Sequence, residues 1–169
     1  GDHSGTYLGK CLNGEGIYAI LDLQQETSGY LMLDITACEG TIVRIACGEH
    51  LNDMGVNTAA DAGFYCGEIK CKKGRNVYMN CIHRTTGRYM QLFAETDDLT
   101  IHYAGIISES YPVDKDACKF KCNDSLHNKI NKNAKNTLIM CMKEYYEDSP
   151  YNRMWMSSMN ARIQMLAGY

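Results

Sequence analysis

Tyr30–Ala37 (YLMLDITA) and Thr41–Cys47 (TIVRIAC) are the two stretches whose reading decides the fold. In the first, apolar residues fall at Leu31, Leu33, Ile35 and Ala37. In the second, Ile42 and Arg44 share one face, and Val43 and Ile45 the other. A period of two is the signature of a strand with one face in a core. The tight Glu39-Gly40 connection predicts that the two strands form a hairpin. Upstream, Gly16–Leu23 (GIYAILDL) is a short apolar run that reads as its own strand. Downstream, Asn52-Asp53-Met54-Gly55 is a turn signal, and further strands are expected near 64–70, 76–82, 88–94 and 99–107. About seven strands with turns every 8–12 residues describe a sandwich.

The period changes after Tyr111-Pro112. Asn123-Asp124 offers an N-cap, and Leu126, Ile130, Ala134, Leu138 and Met142 recur near helical spacing, predicting a helix over about 124–145. Asp148-Ser149-Pro150 reads as a second helix start, with Ser149 as N-cap and Pro150 at the first helical position, where its missing N–H costs nothing. Six of the ten methionines fall between 140 and 165. Two helices alone cannot bury such apolar faces. The expectation is a mainly β chain: a sandwich domain at 1–112, then the incomplete start of a helical domain at 113–169. Residues 124–169 then need the remainder of a larger chain, or a partner surface.

Composition narrows the class. The chain has 169 residues, 45% of them hydrophobic and 22% charged, which excludes a disordered chain. Twenty acidic against seventeen basic residues leave a net charge of −3, the wrong sign for a nucleic-acid binder. No apolar run approaches the ~18 residues of a membrane span. The opening GDHSGTYLGK has no apolar core of a signal peptide, so none is expected. Nine cysteines is a high and odd count. Cys38, Cys47 and Cys141 stand where an apolar residue belongs, which fits reduced thiols acting as small hydrophobes in the cytoplasm. The sharper alternative is a zinc site from Cys66-x4-Cys71 and Cys118-x3-Cys122, although those spacings miss the common C-x2-C knuckle.

Few residues carry chemistry. Asp148 precedes a helix start, where free N–H groups favour a carboxylate, as a capping acid or as a ligand. Arg153 and Asn160 are seven residues apart, hence on one helix face, and with Asp148 can line one wall of a pocket or form an ordinary solvated stripe. Arg88 opens a strand and can pair with an acid at the sandwich edge. Trp155 can stack on a sugar ring, or fill core beside its methionines. The five histidines show no metal spacing, and there is no G-x-S-x-G, phosphate loop or G-x-G-x-x-G. Neither metal nor cofactor is expected.

Taken in order, GIYAILDL, SGYLMLDITACEGTIVRIACGEHL, TTGRYMQL, LTIHYAGIISESYPV, FKCNDSLHNKI, TLIMCMKEYYEDSP and MNARIQMLAGY resemble bacterial α-L-rhamnosidases of glycoside hydrolase family 78, from about Gly16 onward. The resemblance implies a jelly-roll-like sandwich followed by the start of an (α/α)6 barrel that holds the active site. The family's motif resembles D-x-P-x-x-E-x6-D, with a sugar-binding Asp, a general-acid Glu and a second sugar-contacting Asp. Asp148 and Pro150 keep the pattern; the general-acid position holds Arg153 and the last Asp is Asn160. The family's general base lies later, beyond Tyr169.

Inverting glycosidases need a protonated carboxyl and a carboxylate about 6.5–9.5 Å apart. Arginine, with a pKa above ~12, has no transferable proton near neutrality. The resemblance therefore implies a fragment of a rhamnosidase-like hydrolase acting on rhamnose-containing glycosides or oligosaccharides, with Asp148, Arg153 and Asn160 around the sugar and no activity in this chain alone. The alternatives are a non-catalytic carbohydrate-binding module derived from that family, favoured by the donor groups of Arg153 and Asn160, and a purely structural sandwich.

Overall fold

The alternating stretches do form strands, and the longest organises the first of two compact units, residues 1–108 and 109–169. The computed structural model describes residues 6–10, 16–53, 55–60, 63–64, 66–96, 98–114, 116, 119–150 and 158–167. In chain order the first unit holds β1 (Thr6–Lys10), β2 (Ile17–Ala37), β3 (Ile42–Gly48), β4 (Leu51–Asn52), β5 (Gly55–Val56), β6 (Ala59–Ala60), β7 (Gly63–Phe64), β8 (Cys66–Lys70), β9 (Gly74–Met79), β10 (Thr85–Ala94) and β11 (Leu99–Ser108).

The strands expected at Gly16–Leu23 and Tyr30–Ala37 are one strand, β2, of 21 residues. Drawn straight it would span about 70 Å at ~3.3 Å per residue. It bends instead. Opposite β10 the register jumps from Tyr89↔Asp22 to Gly87↔Thr27, so residues 23–26 make an excursion. Gln24 takes a left-handed φ of 68°, held by its amide donating to Asp22 Oδ1 at 2.7 Å. The Ser28-Gly29 pair that looks like a turn stays in ladder with Thr86 and Thr85.

The bend lets β2 serve two layers of one curled antiparallel sheet. Its first half pairs β1 and β10, and β10 pairs β3, which pairs β8. Its second half pairs β9 and β11. The expected hairpin between the two deciding strands is therefore not formed. A turn does stand there, with Gly40 at φ 82° and the Thr41 amide donating to Cys38 O at 3.3 Å. It carries the chain from one layer to the other, and β10 takes the place beside β3. Local sequence shows that a turn exists; the neighbour of a strand is set by residues far along the chain.

The side-chain parity holds. Leu31, Leu33, Ile35 and Ala37 share one core with Val43, Ile45, Cys47, Met90, Leu92 and Ala94. Leu33, Val43 and Met90 are each 0% exposed. Burying side chains of this size stabilises by about 1.5–3 kcal/mol each, before entropy is subtracted. In β11 an irregularity between Ile101 and Tyr103 changes the parity, so that Leu99 and Ile101 before it and Ala104 and Ile106 after it all reach the core. The Asn52–Gly55 turn joins β4 and β5 as expected; Met54 lies outside the described residues.

The second unit holds α1 (Ser125–Met140) and α2 (Ser158–Ala167). Asp124 is the cap of α1, accepting from the Leu126 amide at 2.7 Å and meeting His127 Nδ1 at 2.8 Å. The helix ends at Met140, five residues before the expected Tyr145. There the Cys141 amide is shared between Thr137 O and Leu138 O, and the chain closes a loop through the Met142↔Tyr146 bridge and the Glu147 amide to Cys141 O at 2.9 Å. That loop satisfies Cys141 O, which a longer helix would have paired at Tyr145. Leu126 and Ile130 of α1 remain exposed.

Candidate functional site

Asp148 is exposed and follows Glu147, which is 1% exposed. The Glu147 amide donates into the loop at Cys141 O, and its carbonyl accepts Gln164 Nε2 of α2 at 3.0 Å. The backbone leading into Asp148 is thus held by the loop on one side and a helix on the other. A carboxylate on so short and anchored a segment is presented at a fixed place. Its two acceptor oxygens suit sugar hydroxyls.

Of the expected helix start only Asp148, Ser149 and Pro150 are described; residues 151–157 lie outside the described residues. Ser149 and Pro150 are non-helical, the chain bending at Asp148 and again at Pro150, and α2 is described from Ser158. Tyr151, Arg153 and Trp155 lie outside the described residues, and Asn160 lies in α2 with its side chain outside them. The wall of Asp148, Arg153 and Asn160 is therefore described only at Asp148.

The first unit holds further charged arrangements. Arg88, expected to pair with an acid, pairs with Asp22 by Nε to Oδ1 and Nη2 to Oδ2, both at 2.9 Å. The guanidinium holds the Asp22 carboxyl below its usual range. Arg75 forks onto Asp34 at 2.8 and 2.5 Å. Glu26, in the β2 excursion, has an Oε1 with no hydrogen-bond partner among the described residues. Burial first, and the nearby charge of Glu49 second, push its carboxyl up to about 7. Nothing in the sequence singles out Glu26, which stands in the polar stretch QQET.

The cysteine alternatives separate. Cys71 is in the core, whereas Cys66 is exposed on the outer face of the sheet, so the Cys66-x4-Cys71 pair does not converge. Cys118 lies outside the described residues, and the seven described cysteines have free thiols. Among the described residues no group of three or more His, Cys, Asp or Glu side chains is placed to hold a metal ion. Nor is any helix among them long and apolar enough to cross a membrane.

No protein-family model and no curated protein matches the sequence. Solved structures match the fold. The chain is similar to the GH78 family rhamnosidase of Bacillus sp. GL1 with a TM-score of 0.84 and 23% identity, over 97% of this chain and 17% of that one. It is similar to the rhamnosidase from Klebsiella oxytoca with rhamnose bound (TM-score 0.71, 17% identity, 90% of this chain and 32% of that one). A third likeness is to the native α-L-rhamnosidase from Aspergillus terreus (0.61, 15%, 89% and 18%). The chain carries the fold of a segment of GH78 α-L-rhamnosidases. At these identities the likeness is one of fold, and the chain spans between 17% and 32% of the length of those proteins.

Proposed function

We propose that the chain is a piece of a rhamnosidase-like glycoside hydrolase whose whole protein removes terminal α-L-rhamnose with inversion. The observation that supports this is a fold shared with three rhamnosidases over most of the chain. On this reading residues 1–112 are a sandwich domain and 113–169 open an (α/α)6 barrel. The exposed Leu126 and Ile130 of α1 pack against the remainder of that larger chain. Asp148 accepts hydrogen bonds from sugar hydroxyls. Arg153 stands where the general acid belongs and has no proton to give, and Asn160 hydrogen-bonds the sugar without adding negative charge. A general acid is worth about 10²–10⁴-fold in rate, so the chain alone is inactive.

A second reading, a carbohydrate-binding module without catalysis, is favoured by the donor groups of Arg153 and Asn160. In both, the ligand is a rhamnose-containing glycoside, and nucleic acid, membrane, metal and cofactor play no part. The free thiols support a reducing compartment, the cytoplasm. Calorimetric titration of the chain with L-rhamnose tests the shared claim: heat lost in Asp148→Ala supports it, and heat unchanged in that variant refutes it. Release of nitrophenol from an aryl α-L-rhamnoside by the purified chain would overturn the claim of inactivity.

A further inference from the structure

The outer face of the first sheet layer carries a cavity of about 570 Å³ lined by residues of the first unit. Its floor follows from the register. Glu68 of β8, Arg44 of β3 and Phe93 of β10 stand in one row across the sheet; Cys66, Ala46 and Gln91 stand in the next. These are the residues that strand parity turns away from the core. Its wall is β5 and the segment after it, which contribute Val56 and Thr58 to the lining. The Asn57 amide donates to His50 O at 2.9 Å, and Gly48 lets the Asn57 carbonyl approach where any Cβ would collide.

Gln91 joins floor and wall. Its Oε1 accepts from the Val56 amide at 2.9 Å and the Tyr18 hydroxyl at 3.1 Å. A backbone N–H can only donate, so this bond settles which end of the amide is oxygen. The Gln91 NH₂ then stands fixed at the cavity, with no hydrogen bond among the described residues. Arg44, the cation of the cavity, is already shared between Glu68 at 3.2 Å and Glu95 at 2.7 Å. An added anion would have to displace a carboxylate, and an added cation would compete with the guanidinium. Beside these groups lie apolar surfaces, Phe93 with Arg44 5.7 Å over its ring centroid, Ala46 and Val56. The volume falls within the roughly 300–1,000 Å³ of small-molecule sites.

We propose that this cavity is a binding site for a neutral polyhydroxylated ring, a hexose or deoxyhexose unit. The apolar C–H face of the ring lies towards Phe93 and Val56, and its hydroxyls take the two Gln91 N–H donors and give to Glu68 and Thr58. Asp148 is not among its lining residues, and the proposal does not depend on the hydrolase reading.

The exposed thiol of Cys66 reports on occupancy. The whole chain is titrated with methyl glycosides of neutral hexoses and 6-deoxyhexoses, and with glucuronate and glucosamine as charged counterparts. Iodoacetamide labelling of Cys66 is followed by peptide mass spectrometry. The neutral glycosides are expected to bind at millimolar concentration, at least ten-fold more tightly than the charged ones, and to slow Cys66 labelling several-fold. Gln91→Glu keeps the acceptor for Val56 and removes the donor, and should weaken binding at least ten-fold. In Asp148→Ala the Cys66 protection should persist, which separates this site from the rhamnose site proposed above. Absence of binding by every neutral glycoside, equal binding of a charged one, or binding that leaves Cys66 labelling unchanged would overturn the proposal.

Discussion

Asp22 and Arg88 meet as a two-point pair, each oxygen of the carboxylate 2.9 Å from a guanidinium nitrogen, at the corner where β2 leaves one layer for the other. Asp22 also accepts the amide of Gln24, the residue whose left-handed φ makes the bend. The ion pair therefore fixes a backbone corner rather than decorating a surface.

Replacing Asp22 by alanine should cost about 1–2 kcal/mol, a figure already reduced because both side chains are part-exposed. The pH dependence has a definite sign. Arg88 lowers the folded-state pKa of Asp22, so its contribution is complete above the ordinary carboxylate pKa and is lost as pH falls through the lowered value. Urea denaturation at pH 7 and pH 3 checks this: the gap between wild type and Asp22→Ala should narrow at the lower pH.

Glu26 predicts the opposite slope. Its folded-state pKa is raised, from an ordinary 4.5 to about 7, so the folded chain holds a proton that the unfolded chain releases. Stability is greatest below about pH 4.5 on this account and declines as pH rises through 7. Glu26→Gln should flatten that decline and be more stable than wild type at pH 8 by about 1–2 kcal/mol, allowing for partial solvent access. Denaturation midpoints at pH 5 and pH 8 decide it; equal slopes in both proteins would refute the assignment. Glu49→Gln should produce a smaller change in the same direction.

Two glycines are constrained for different reasons. A Cβ on Gly29 would overlap the carbonyl oxygen of Ile107, in the ladder between β2 and β11. Gly40 has open space around it but a φ of 82°. Gly29→Ala should therefore cost about 1–3 kcal/mol through forced strand separation. Gly40→Asn should cost little, because asparagine tolerates the left-handed region, whereas Gly29→Asn should be worse than Gly29→Ala. Thermal melts of the three variants give the order.

What sequence made legible was parity. Every apolar residue singled out between Leu31 and Ile45 on the core side of its strand is buried there, because alternation is a local property of the backbone. Pairing was not legible. Glu39-Gly40 marks a turn, yet nothing in those residues says that Gln91 and Leu92 come to lie beside Ala46 and Ile45. The end of α1 was misplaced because Met142 continues the apolar period while the chain has already turned back on Cys141. At the candidate site the motif singled out Asp148 as a proposal. It could not foresee that the carbonyl of Glu147 would be held by Gln164, 17 residues further along the chain, because a spacing rule sees only near neighbours.

The single long β2 has a consequence for how the chain reaches its structure. It precedes in the chain the strands that flank its two halves, β10 and β11, which begin at Thr85 and Leu99. Until those residues are available, a long apolar strand has most of its hydrogen-bonding edge unclaimed. Closure over such separations is slow, and exposed strand edges recruit other chains. Yield of native protein during synthesis should therefore depend on how long β2 is shielded, more than on how stable the finished sheet is.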